Sequence, residues 1–306
     1  MKIYNSLTSY SKAPSVLTIG TFDGVHLGHQ KIINRLITVA KEKNLESSLL
    51  TFFPHPRMVL QTHADIKLLN TIDERKTILS QIGIDNLIIK KFTQDFSRLS
   101  ANDYVKHILV DELNVKHVII GYDHRFGRNR SANIEDLKDY GAQFDFEVEE
   151  ISVKDIEDVA ISSTKIRNAL NNGDVKTANT YLGYNYFLSG NVVKGKQIGS
   201  KIGFPTANVK IPEDYKLIPK NGAYVVQSNI NNSTVYGMMN IGTNPTVNGR
   251  TQSIEVHFFN FNEDIYDTSI QVELIDRLRD EQKFDSVELL KEQLNKDKEK
   301  ALTLFN

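Results

Sequence analysis

The period of the apolar residues changes partway along this chain, and that change restricts it to two differently built halves. Over residues 16–151, short apolar runs at 16–19, 48–53, 86–90, 117–120 and 144–151 alternate with helical patterns at 30–43, 73–82 and 101–113. Strands that alternate with helices predict an α/β unit with a doubly wound parallel sheet, which binds ligands beyond the carboxyl ends of its strands. Two short helical patterns follow, at 165–171 and up to Leu182-Gly183. Beyond them come short β-type runs at 187–193, 222–228, 235–241, 253–259 and 269–278, separated by Gly/Asn/Pro turns. That spacing predicts an antiparallel β-barrel, and the amphipathic stretch 284–304 a terminal helix. The expected domains are 1–183 and 184–306.

A chain of 306 residues is long enough for two cores. It contains no cysteine, which excludes disulfides, thiolate metal sites and a cysteine nucleophile, and fits a cytoplasmic location. Residues 1–14 are polar without an apolar signal core, and no segment reaches the ~18 apolar residues of a membrane span. A net charge of −1 argues against a nucleic-acid partner, although the basic strip 125–130 could hold a phosphate. The expected partners are small-molecule substrates, the expected state a monomer or weak homo-oligomer.

Gly20-Thr21-Phe22-Asp23-Gly24-Val25-His26-Leu27-Gly28-His29 sits on the first strand-to-helix turn. Glycines let a ligand approach the backbone, the helix start favours an anion, and two imidazoles can donate to phosphate oxygens. By itself this turn indicates only a phosphate-handling site such as one for a nucleotide triphosphate. Three further segments follow predicted strands or open a helix. Pro54-His55-Pro56 presents a histidine on a rigid turn, and Gly121-Tyr122-Asp123-His124-Arg125-Phe126-Gly127 combines an acid, bases and a ring between glycines. Ser162-Ser163-Thr164 places hydroxyls at a helix start with Arg167 one turn inside.

In the second half, Gly203-Phe204-Pro205-Thr206-Ala207-Asn208 offers hard oxygen donors from Thr206 and Asn208, suited to magnesium. Strand alternation puts Ser253, Glu255 and His257 opposite Ile254, Val256 and Phe258. Residues 240–246 read as a turn that shapes the pocket. The stretch 190–197 mimics a P-loop, but Gln197 lacks the required hydroxyl and no helix follows in the pattern.

The first-half motifs closely resemble the bacterial FAD synthetase signatures, and the Pro-Thr-Ala-Asn segment those of riboflavin kinases. The chain is therefore similar to the bifunctional riboflavin kinase and FAD synthetase family over nearly its whole length. The resemblance implies ATP as co-substrate, magnesium, and riboflavin, FMN and FAD as substrates or products. For the adenylyltransferase it implies that Gly20, Phe22, Gly28, Ser163 and Thr164 bind ATP, that His26, His29 and Arg167 act on its phosphates, and that Asp23 serves orientation or magnesium. His55, Asp123, Arg125 and Phe126 would face the flavin. For the kinase it implies that Gly195, Gly199, Gly203, Pro205 and Thr206 hold ATP and that Thr206 and Asn208 hold magnesium. Glu255 would act as base toward the ribityl hydroxyl and Arg279 as a flap arginine near the flavin phosphates. His124 stands where the family often has an aromatic residue, and Ser200 where it usually has arginine. Two rivals stay open: an adenylyltransferase for another dinucleotide-like cofactor, and a flavin-sensing protein without turnover.

Overall fold

A computed structural model describes residues 1–61, 66–122, 124–152, 161–195, 198–246 and 249–305. Its contacts divide the chain into two compact units, Met1–Ser163 and Thr164–Asn306. The short helices expected to close the first domain thus count with the second unit, whereas the sequence places the division near Gly183.

In the first unit, β1 (Lys2–Tyr4), β2 (Ser15–Ile19), β3 (Glu46–Phe53), β4 (Asn86–Lys91), β5 (Val115–Gly121) and β6 (Glu147–Ile151) form a six-stranded sheet. Its order is β1-β4-β3-β2-β5-β6, and every pairing is parallel. All five residues of β2 are buried, as a central strand covered on both faces requires. The chain builds outward from β2 through β3 and β4, then returns to β2's other side with β5. The strand order therefore reverses at the carboxyl ends of β2 and β5, where such sheets form a ligand crevice.

Helix α1 (Leu27–Lys43) follows β2, buries Ile33, Leu36 and Val39, and stops at Asn44 in a left-handed conformation. After the short α2 (Pro56–Leu60), α3 (Ile72–Ile82) starts with a reciprocal capping box between Thr71 and Glu74. Beyond α4 (Gln94–Ser97), the helix expected at 101–113 is an α-helical turn, α5 (Ala101–Asp103), that continues as a π-helix over Tyr104–Glu112. Tyr104, Val105, Ile108 and Leu109 on it pack with Leu17, Leu50, Val118 and Ile120 of the sheet.

One expected strand begins later than its pattern implied. Residues 144–151 read as strand, but Phe144 is the last residue of α6 (Ile134–Phe144), and Asp145 at φ 59° ends that helix before β6. The Asn133/Asp136 capping box starts α6, and buried Leu137 and Gly141 hold it to the core, so helix packing outweighs the strand-like composition of 144–146.

The second unit carries α7 (Ser163–Asn172) and α8 (Val175–Leu182) ahead of a closed barrel. The barrel comprises β7 (Phe187–Val193), β8 (Ala207–Lys210), β9 (Gly222–Ile230), β10 (Ser233–Thr246), β11 (Gly249–Phe258) and β12 (Ser269–Arg279). Its order is β10-β11-β8-β7-β12-β9, antiparallel throughout. A short helix, α9 (Ile198–Lys201), lies between β7 and β8, and α10 (Val287–Leu302) places Ala301 in a core with Phe204, Val225 and Met238.

Two corrections to the sequence reading bear on the site. Four-residue β8 escaped notice because it continues the Pro-Thr-Ala-Asn loop, yet it bridges β11 and β7 and closes the barrel. Residues 240–246, expected as a turn, continue β10, since ten consecutive pairs with β11 satisfy their backbone despite Gly242 and Pro245.

Candidate active sites

The first site is the turn after β2. Phe22, Gly24 and Val25 have φ of 46°, 88° and 36°. A β-branched residue such as Val25 rarely takes positive φ, so surrounding contacts must impose this conformation. Val25 is fully buried, and its N–H donates to the carbonyl of Phe22 at 3.1 Å. Asp23 supplies the strongest restraint. Its carboxylate is 1% exposed and accepts from the N–H of Leu69 at 2.9 and 3.1 Å and of Asn70 at 3.2 Å. The guanidinium of Arg75, equally buried, lies 3.8 Å away and donates to Thr51 Oγ1 at 3.3 Å. Asp23 thus ties the turn to the segment ahead of α3.

The two histidines form one unit. His26 caps α1, its Nδ1 accepting from the His29 N–H at 3.4 Å, and the rings stack with centroids 3.7 Å apart. An accepting Nδ1 puts the His26 proton on Nε2, the tautomer able to donate to a ligand. Burial, with neighbouring His26 and Arg75, holds His29 well below the ordinary histidine pKa. Its Nδ1 is buried without a hydrogen-bond partner among the described residues, and Phe22 packs edge-on against the ring at 5.1 Å. Gly28 lies between the two histidines in sequence, and a Cβ on Gly20, at the start of the turn, would meet the Phe22 ring at 3.1 Å. Ser163 Oγ donates to the Asp23 carbonyl at 2.9 Å, so its hydrogen supports the turn. Thr164 and Arg167 follow on α7, in the second unit.

The flavin contacts expected in this unit divide. His55 caps α2 just past β3, its Nδ1 accepting from the Arg57 N–H at 3.2 Å. Arg125 is exposed beyond β5. Asp123 lies outside the described residues. Phe126 departs from expectation: it is 6% exposed and packs against Tyr104 and Tyr140 in the core. Its paired bridge to Ala132 turns the ring inward, so it anchors the loop.

The second site lies where β8 meets β11. Asn208 pairs directly with Glu255, and Asn240 pairs with Glu255 from β10 on the other side. Directly opposed residues share a sheet face, so both amides flank the carboxylate. Thr206 Oγ1 donates to Glu255 Oε2 at 3.3 Å. Gly195 makes this approach feasible, because a Cβ there would lie 2.1 Å from Asn208 Nδ2. Phe204 closes the loop onto α9, donating its N–H to the Gly199 carbonyl at 2.9 Å, with Gly203 at φ 88° in the turn. A cavity of about 310 Å³ opens beside Pro205 and Thr206, walled by Val256, Phe258, Phe261 and Tyr266, with Ser200 on its rim. The sequence reading had Asn240 only within a pocket-shaping turn and Phe258 only on an apolar strand face, and it did not name Phe261, Tyr266 or Arg75. Only strand register and tertiary packing bring them in.

Arg279 sits otherwise than expected. Its Nε donates to both Asp297 oxygens on α10 at 3.1 and 2.9 Å, and its NH1 to the Asp280 carbonyl at 3.1 Å. With Asp297 4% exposed, this forked pair joins β12 to α10. No flavin contact is needed to account for it.

Fold and sites together define the class: a nucleotide-handling transferase with an adenylyl-transfer unit and a separate phosphotransfer barrel. Residues 8–165 match the FAD synthetase family and residues 182–305 the riboflavin kinase family. The bifunctional riboflavin kinase/FMN adenylyltransferase of Bacillus subtilis is 37% identical, over 98% of this chain and 95% of that protein. The proteins so named from Buchnera aphidicola and Escherichia coli are 38% and 35% identical, across 100% of this chain and 99% and 98% of theirs. A solved structure from Streptococcus pneumoniae, described as a macrolide-efflux protein, aligns with a TM-score of 0.88 at 34% identity over 97% of each chain. Efflux is said of that protein; no described helix here is long and apolar enough to cross a membrane. The chain belongs to the bifunctional riboflavin kinase/FMN adenylyltransferase family, and it has both transferase activities.

Proposed function

We propose that the two activities use the two sites above in sequence. In the barrel, the Glu255 carboxylate takes the proton of the ribityl 5′-hydroxyl as that oxygen attacks the γ-phosphorus of ATP, giving FMN and ADP. A hydroxyl nucleophile carries a proton, so a positioned base has clear value there. The convergence of Thr206, Asn208 and Glu255 is the observation that carries this reading. The oxygens of Thr206 and Asn208 beside that carboxylate suit a hard, octahedral cation, so they would hold magnesium. When bound, magnesium neutralises phosphate charge. The aromatic-walled cavity next to Thr206 has the size and lining for a flat base such as adenine.

In the α/β unit, a phosphate oxygen of FMN attacks the α-phosphorus of the second ATP and pyrophosphate leaves. That nucleophile is already anionic, so the site orients reactants and stabilises charge. His26 and His29 donate to the phosphates, while Asp23 and Arg75 hold the turn in shape. Roles for Thr164 and Arg167 on pyrophosphate rest on their sequence signature, and those of His55 and Arg125 toward flavin on their place beyond β3 and β5.

The test incubates the protein with riboflavin, ATP and magnesium and resolves flavins by chromatography, with FMN and then FAD expected. Glu255→Gln should block FMN formation yet leave FAD formation from supplied FMN. Loss of both activities together would refute the two-site assignment.

A further inference from the structure

His257, two residues beyond Glu255 on β11, is 8% exposed and has no role in the chemistry described so far. Its ring lies edge-on to Phe204 at 5.1 Å and to Phe259 at 5.8 Å, which would suit a packing residue. The ring also makes a 2.8 Å hydrogen bond from Nδ1 to the carbonyl oxygen of Pro205. A carbonyl only accepts, so Nδ1 must carry the proton. Burial keeps the ring's pKa below its ordinary value, against the Pro205 bond and with a further push from Lys298. A neutral ring with its proton on Nδ1 is therefore the resting form.

Pro205 immediately precedes Thr206, whose hydroxyl reaches Glu255 on the strand that bears His257. The chain from His257 through Pro205 and Thr206 to Glu255 closes a small ring of contacts. Two of its links are hydrogen bonds and the rest is covalent backbone. β8 pairs with β11 at only Ala207 and Asn208, so strand pairing begins after Thr206 and does not fix it. Phe204 anchors the loop one residue earlier, and the His257 bond holds Pro205, the residue directly before Thr206.

We propose that His257 is a positioning residue for riboflavin phosphorylation, its Nδ1–H anchoring the Pro205 carbonyl so that the Thr206 hydroxyl is held against the Glu255 carboxylate. The inference rests on the reading of Glu255 as base and Thr206 as a ligand-holding hydroxyl. It asks something further of the structure: that one side-chain donor sets their separation. Misplacement of reacting groups by about 1 Å can cost ~100-fold in rate, so the effect should be kinetic before it is structural.

The test compares His257→Leu, which keeps apolar bulk without the donor, with His257→Asn, whose amide nitrogen can occupy the Nδ1 position. kcat and KM for FMN formation are measured beside the melting curve and FAD formation from supplied FMN. Leu should lower kcat for FMN roughly tenfold or more, Asn should restore most of that loss, and FAD formation should be unchanged in both. Thr206→Ala added to His257→Leu should cost little beyond the more severe single variant, because the two residues act through one contact. Unchanged FMN kinetics in His257→Leu, no rescue by Asn, or strictly additive losses with Thr206→Ala would each overturn the inference. If Leu prevents folding, the Asn variant decides: kinetics near the parent's support the donor, and a deep kcat loss in a folded protein refutes it. Glu255→Gln is assayed in parallel. Retained FMN synthesis there would overturn the Glu255 reading itself, an outcome distinct from failure of the His257 variants alone.

Discussion

Arg75 offers the sharpest test of how the adenylylation turn is held. Arg75 and Asp23 are each 1% exposed and 3.8 Å apart. At an effective dielectric constant near 20, unit charges at that distance attract by about 4 kcal/mol. Arg75→Met keeps most of the buried volume and removes the guanidinium from beside Asp23, while the N–H groups of Leu69 and Asn70 remain. Breaking a buried pair from one side costs about 3–5 kcal/mol, because the remaining charge is uncompensated. The two backbone donors offset part of this and favour the lower half of that range. For a unit of this size each kcal/mol is worth roughly 2–4 °C, so the α/β unit should melt roughly 6–16 °C lower. Two compact units need not unfold together, so the assay is residual activity after graded heating: FAD formation should fail at the lower temperature while FMN formation keeps its parental profile. Adding Asp23→Asn should relieve much of the penalty, leaving the double variant more stable than Arg75→Met alone. A shift below ~1 kcal/mol in Arg75→Met, or a double variant worse than the sum of the singles, would refute this account of the pair.

Three further outcomes are expected. His29→Ala should reduce FAD formation roughly 10²–10³-fold while FMN accumulates, and undiminished FAD output would remove that ring from the mechanism. Gly195→Ala puts a Cβ against the Asn208 amide, so FMN formation should fall and FAD formation from FMN persist; parental kinase kinetics would show that the loop yields without consequence. His29, His117 and His257 all have pKa values lowered by burial. Below the ordinary value of 6.5 the unfolded chain binds protons that the folded chain refuses, so stability should fall as pH drops from about 6.5. Denaturant midpoints that stay level or rise between pH 7 and 5 would contradict that sign.

The aperiodic stretches proved harder to read than the periodic ones. Residues 16–19 and 30–43 announce β2 and α1 because burial on a central strand and on one helix face leaves a repeating mark. β8 left no such mark, since four residues following a Pro-Thr turn cannot display a period. Phe144 reads as strand but closes a helix, because the Asn133 cap that starts α6 lies eleven residues upstream.

The sequence by itself determined the two-part architecture and the family, and it named the groups here proposed to carry the chemistry: His26, His29, Thr206, Asn208 and Glu255. Those follow from local pattern and residue type. Tertiary structure alone decided how these groups are held. It buried Asp23 against Arg75, turned Phe126 into the core, joined Arg279 to Asp297, paired Asn240 with Glu255 and set His257 against Pro205. Each of those contacts joins residues far apart in the chain, whose meeting depends on strand register and core packing rather than on any neighbour in sequence.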